Sequence, residues 1–328
     1  MLKTDKVTLQ DIVDPINCYL CKVDEEIKNK LKTGISILDE SALHLFKRGG
    51  KKIRASLIII ASGLKNNIPD DIIEVAAAAE IVHGATLIHD DIIDEANYRR
   101  GEVTVSRKWG NKVAVLVGDF MYTRGLDVAV GEDRIDLFPV MVSAALDMVK
   151  GELYQIEYSD IDLINKEHYY NIIDLKTARF MATCAKLGAV KAKMSDIESN
   201  ILYNFGLNMG YAFQIVDDAI DFLNDKKCPE KDTGGDFLSG KITLPFLRLL
   251  EISNEEERAY YTDIAKNPDS EGYKIIQQKI MSCGAIDYCR GVAKEYISIA
   301  LKHLDYFPFT IYKEVMINLS NFFIERNY

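Results

Sequence analysis

Two aspartate clusters share one spacing: Asp90, Asp91 and Asp94 in the first, and Asp217, Asp218 and Asp221 in the second. Both interrupt strongly apolar text, Ala85-Thr86-Leu87-Ile88 before the first and Phe213-Gln214-Ile215-Val216 before the second. Carboxylates in such surroundings raise the free energy of a core unless their charge is compensated, and divalent cations are the natural compensators. On a helix the i, i+1, i+4 spacing keeps each trio within roughly a 100° arc. Two such helices facing each other would offer six oxygen donors to Mg²⁺, an ion that takes one or two carboxylates, keeps waters and completes its octahedron with phosphate oxygens. A diphosphate is the expected ligand. Either cluster alone reads equally well as a solvated acidic stretch or a helix N-terminus, but the repeated pair does not.

Cations accompany the carboxylates. Arg99-Arg100-Gly101 follows the first cluster, and adjacent arginine forks point in different directions, so they suit two different phosphate groups. Upstream, Gly49-Gly50-Lys51-Lys52-Ile53-Arg54 combines glycines that let backbone approach an anion with side chains that supply charge. Taken alone it also reads as a flexible basic loop. His83, on the run that leads into the first cluster, is by itself an ordinary core histidine.

The elements that must position these groups are helical. Apolar residues recur at three and four positions over Ile72 to Ile88, Val113 to Val130, Leu137 to Tyr158, Leu175 to Val190, Asp196 to Leu223 and Tyr288 to Leu304. Strand alternation is scarce. Pro69-Asp70-Asp71 and Ser195-Asp196-Ile197-Glu198 read as helix starts. Seven prolines and the lack of a Gly/Ser-rich linker or repeat leave no domain boundary, so residues 1–328 are expected to form one all-α domain, a bundle of long helices around a central cavity.

A formal net charge of −10 argues against nucleic acid or an anionic surface as the default partner. No secretory signal is apparent and no uninterrupted apolar run reaches the roughly 18 to 20 residues of a membrane span, which predicts a soluble, cytoplasmic protein. The six cysteines include one Cys18-x-x-Cys21 pair without a matching second pair, and are expected to be buried or half-exposed free thiols.

With these motifs in order the chain resembles the trans-prenyltransferases, the all-trans polyprenyl diphosphate synthases. The resemblance covers essentially its whole length. It rests on GGKKIR at 49–54, the first aspartate motif with its trailing RRG at 90–101, GELYQ at 151–155, KTA at 176–178, FQIVDDAID at 213–221 and GGDFLSGKITLP at 234–245. Two departures are visible: Ala55 stands where the family has proline, and Glu230-Lys231 where it often has GK. Neither removes a needed charge.

The resemblance implies condensation of isopentenyl diphosphate with an allylic diphosphate such as farnesyl or geranylgeranyl diphosphate. It implies three Mg²⁺ ions held by Asp90, Asp94 and Asp217, with Asp91, Asp218 and Asp221 in support. Arg99, Lys176, Lys231 and Lys241 would neutralise the allylic diphosphate, and Lys51, Arg54, His83 and Arg100 would hold the isopentenyl diphosphate without metal. Thr177 and Gln214 would face the allylic cation as weak dipoles, and the last proton would leave on the departing diphosphate. His89 would support from behind. A homodimer is the usual assembly.

On the helix of the first motif, Thr86 and Ala85 lie about 6 to 7.5 Å back from Asp90 along the axis. In this family a bulky aromatic there floors the product tunnel, so these small residues predict a product of about C30 to C50, the length of quinone side chains. Phe120, Met121 and Met148 are candidates for a deeper floor, and a transient membrane contact would serve release of so apolar a product. The alternatives are a short-chain farnesyl or geranylgeranyl synthase and the catalytic subunit of a heteromer. A terpene cyclase would need no site for isopentenyl diphosphate. The tail Ile311 to Phe323 reads as a capping helix, with Arg326 near the mouth of the basic site.

Overall fold

The computed structural model describes residues 8–47, 49–65, 67–99, 101–130, 136–223 and 234–326. Helices dominate them: α1 (Leu9–Val13), α2 (Asn17–Lys30), α3 (Ser36–His44), α4 (Ile53–Gly63), α5 (Ile72–Ile93), α6 (Val105–Trp109), α7 (Asn111–Asp127), α8 (Leu137–Glu157) and α9 (Lys166–Ile173). The chain continues through α10 (Arg179–Lys191), α11 (Asp196–Leu223), α12 (Gly235–Leu238), α13 (Leu244–Ile252), α14 (Glu255–Lys266), α15 (Ser270–Ser282), α16 (Ala285–Leu304) and α17 (Ile311–Glu325). The described residues hold one small sheet, β1 (Tyr98–Arg99) paired antiparallel with β2 (Glu102–Val103), and it places Arg99 just beyond the first aspartates.

The long helices follow their apolar periodicity. α11, 28 residues and about 42 Å long, packs against α10 and α16. Its start is fixed by reciprocal bonds, Ser195 N–H to Glu198 Oε2 at 2.9 Å and Glu198 N–H to Ser195 Oγ at 3.3 Å. α5 packs against α7, where the missing side chain of Gly125 lets the two backbones close up over Val82 and Ala78. One hydrophobic core runs from Ile12 to Phe323.

Glu74, Glu80, Asp90 and Asp91 interrupt the apolar text of α5, as the sequence reading has it; by length and composition the helix could still cross a membrane, and 61% of its apolar window is buried inside the fold. The structure departs from the sequence reading in two places. Cys18 and Cys21 are exposed free thiols, whereas Cys184 and Cys289 are buried. The helix expected from Leu175 is broken at its start by a π turn over Asp174–Ala178, in which the Arg179 N–H reaches back to the Asp174 carbonyl. A period of 3.6 carries no mark of a single inserted residue.

Candidate active site

Both aspartate clusters sit at the C-terminal ends of their helices. Asp90 and Asp91 lie in the last turn of α5 and Asp94 caps it, its N–H bonded to the Asp90 carbonyl at 2.8 Å. Asp217, Asp218 and Asp221 lie in the last two turns of α11. Each cluster divides in the same way. Asp90, Asp94 and Asp217 are half-buried, whereas Asp91, Asp218 and Asp221 are buried.

The buried three are anchored by the protein. Asp91 accepts from Arg99 Nε at 2.7 Å. Asp218 accepts from the Tyr169 hydroxyl at 2.6 Å and from Gln214 Nε2 at 2.8 Å. Asp221 accepts the Asp236 N–H at 3.3 Å. Burial pushes the Asp218 carboxyl up to about 8, with the charges of Asp236 and Asp217 adding to it against those two hydrogen bonds. Burial likewise raises Asp90 to about 6, opposed chiefly by the charge of Lys176.

Two lysines meet these carboxylates. Lys241 Nζ lies 2.6 Å from Asp94 Oδ2 and 3.9 Å from Asp236 Oδ1. Lys176, in the π turn, is ion-paired with Glu152 and donates to Gln155 Oε1 at 3.0 Å. The next residue, Thr177, donates to Gln214 Oε1 at 2.9 Å. A cavity of about 320 Å³ opens among these groups, lined by Asp94, Glu152, Lys176, Thr177, Gln214, Asp218 and Lys241.

A second group gathers around Phe180. The Arg54 guanidinium stands 5.3 Å from the centre of that ring, and the His83 ring is centred 6.4 Å from it. His83 lies seven residues before Asp90, two turns back on the same face of α5. Lys51 is exposed ahead of α4. None of these three lines the aspartate cavity. Arg100 and Lys231 lie outside the described residues.

Other placements differ from what the sequence suggested. Arg326 is 4% exposed, donating to the Phe213 carbonyl at 2.8 Å and standing 3.4 Å from Asp217, so the C-terminal helix closes on the second aspartate cluster instead of the basic group. Ala85 is fully buried and Thr86 is partly exposed, with its hydroxyl on the His83 carbonyl at 2.8 Å. Glu152, Gln155, Tyr169 and Asp236 were not singled out as site residues. The first two lie inside the GELYQ motif and Asp236 inside GGDFLSG, so motif membership was their signal, whereas Tyr169 carried none.

The residues suit divalent cations. Every donor is a hard oxygen, and burial leaves Asp90 and Asp218 with desolvated carboxyl groups that a cation would relieve. Among the described residues no group of three or more such ligands is close enough to hold a metal alone. Oxygens of water or of a bound diphosphate would complete the shell of an ion held here.

A family model described as Polyprenyl synthetase matches residues 35–281, three quarters of the chain. The chain belongs to the polyprenyl synthetase family. This polyprenyl synthetase is a prenyltransferase. It is 27% identical over 329 residues to the octaprenyl diphosphate synthase of Haemophilus influenzae, covering 100% of both chains. It is also 29% identical over 326 residues to the short chain isoprenyl diphosphate synthase of Methanothermobacter thermautotrophicus, covering 98% of this chain and 100% of the other. Its fold matches the crystal structure of a polyprenyl synthase from Caulobacter crescentus, complexed with calcium and isoprenyl diphosphate, with a TM-score of 0.93 and 30% identity over 98% of each chain.

Proposed function

We propose that this polyprenyl synthetase condenses isopentenyl diphosphate with an allylic diphosphate, farnesyl or geranylgeranyl, and repeats the cycle to an all-trans product of about C30 to C50. The observation that carries the reading is the polar cavity in which two aspartate helices meet Lys176 and Lys241. Asp90, Asp94 and Asp217 would hold Mg²⁺, three ions with substrate present, and Asp91, Asp218 and Asp221 would orient them through their protein partners. Bound there, the ions supply Lewis acidity to the leaving diphosphate.

The chain's own groups do the rest. Lys176 and Lys241 exchange their carboxylate partners for diphosphate oxygens, and Arg99 adds charge beside Asp91. Thr177 and Gln214, bonded to each other, present dipoles to the allylic cation without a strong nucleophile. Arg54 and His83, which gather around Phe180, hold the second diphosphate together with Lys51 and Arg100. Departing diphosphate takes the final proton.

The long product is supported by the small side chains of Ala85 and Thr86 and by the likeness to an octaprenyl diphosphate synthase. Quinone side chains are the destination we infer. Exposed apolar residues support a homodimer: Leu116 at 68% on α7, and Leu146, Val149, Leu153 and Ile156 at three- and four-residue spacing along α8. One domain over 1–328 and a cytoplasmic location complete the reading. Incubation of the purified chain with Mg²⁺, labelled isopentenyl diphosphate and farnesyl diphosphate tests it. Products of about 30 to 50 carbons are expected by the tunnel argument, and no incorporation at all overturns the reaction.

A further inference from the structure

The π turn that carries Lys176 and Thr177 is gripped from outside the cavity. Asp174, its first residue, accepts from Arg179 Nε at 2.7 Å and from the Tyr211 hydroxyl of α11 at 2.7 Å. Arg179 also donates through Nη1 to Asp147 of α8 at 3.2 Å. The turn itself is squeezed between two glycines. A Cβ on Gly151 of α8 would stand 2.9 Å from the Lys176 nitrogen, and one on Gly210 of α11 would stand 2.5 Å from the Ala178 Cα. The segment therefore has backbone close on two sides, and a pair of ionic and hydroxyl contacts fixes its ends.

Spacing explains why the ion pair favours this geometry. In an α-helix, residues five apart are about 140° apart around the axis, so an Asp174–Arg179 pair would be pulled open. In the wider i→i+5 turn the two residues come over each other, and the same pair closes. Relaxation of residues 174–178 into α register would break the contact and rotate Lys176 and Thr177 away from Glu152, Gln155 and Gln214.

We propose that Asp174, Arg179 and Tyr211 are positioning residues that hold residues 174–178 in the π register, and thereby set Lys176 and Thr177 in the reactive geometry. None of the three lines the cavity. The inference rests on the proposed reaction for its kinetic consequence, but the register itself is independent of it.

Two measurements on the full-length chain test it. The first is amide hydrogen exchange over residues 170–182, without substrate. Arg179→Met and Asp174→Asn are expected to speed exchange in this segment and leave α5 and α16 at the wild-type rate, with Arg179→Lys, which keeps the charge but loses the fork, in between. The second is steady-state turnover with farnesyl diphosphate, isopentenyl diphosphate and Mg²⁺. A small displacement of Lys176 and Thr177 is expected to lower kcat about ten- to a hundredfold, with the KM for isopentenyl diphosphate unchanged. The double variant should lose little more than either single one, because the two side chains act as a unit. Tyr211→Phe, which keeps the ring, gives the same pattern more weakly and covers the case in which a charge variant fails to fold. Unchanged exchange in the segment overturns the clamp. Faster exchange with wild-type kcat overturns its role in positioning. An inactive wild-type chain overturns the reaction instead, and the exchange data still decide the clamp.

Discussion

Lys241 Nζ stands 2.6 Å from Asp94 Oδ2, across the cavity and far away in sequence. The contact joins the cap of α5 to the segment before α13, and burial of the lysine is offset by the charges of Asp236 and Asp94, which hold its ammonium above the usual range. Under the proposed reaction, a cation so placed would receive a diphosphate oxygen, with Asp94 among the residues that would hold a metal ion. Replacing it with the similarly shaped Lys241→Met is expected to lower kcat/KM for the allylic substrate by about a hundredfold, the scale of one lost electrostatic stabiliser in a dry site. Steady-state kinetics with each substrate varied in turn would reveal this, and an equal loss for isopentenyl diphosphate would move Lys241 to the wrong site.

Stability of the metal-free chain should fall as pH rises. Folded Asp218 keeps its proton to about 8, whereas an unfolded aspartate releases it near 3.8. Between those values the folded state binds more protons than the unfolded one, so each step up in pH costs stability. Asp90, raised to about 6, adds to the lower part of that window. In EDTA, Tm is expected to be higher at about pH 6 than at about pH 8.5, with Asp218→Asn flattening the slope and Mg²⁺ plus inorganic diphosphate restoring the loss at high pH. A slope that survives in the variant would assign the effect to other groups.

Product length should respond at Ala85. The side chain is fully buried on α5, so a phenylalanine there must fill space or displace its neighbours. Ala85→Phe is expected to shift the product from about C30–C50 to about C20 or shorter while turnover of the first condensation persists. Chromatography of the dephosphorylated products measures it, and an unchanged distribution from an active variant removes the tunnel from beneath Ala85.

The exposed apolar line on α7 and α8 predicts the assembly. Leu116→Asp together with Leu153→Asp places charge where two copies would pack, at positions 68% and 62% exposed in the single chain. Light scattering is expected to give a dimer mass for the parent chain and half of it for the variant, with circular dichroism unchanged. A monomeric parent would leave the stripe to another partner.

Residues in sequence already determined a good deal. Apolar recurrence at three and four positions gave α11 at its observed ends and α5 from its first residue to about a turn and a half short of its last, because a long amphipathic period is a local property. The two aspartate trios, with their motif neighbours, named the chemistry for the same reason: residue type and spacing are written in the chain. The π turn was invisible, since one extra residue in a helical turn barely alters an apolar pattern, and it is the element that carries Lys176 and Thr177. Tertiary structure alone decided which carboxylates are half-exposed and which are anchored, through partners such as Tyr169 and Arg99. It alone set Lys241 on Asp94 and Arg326 on Asp217. Those pairings join segments with no shared period, and they exist only because packing of α5, α11 and α17 brings distant side chains into one low-dielectric space where a charge must find its opposite.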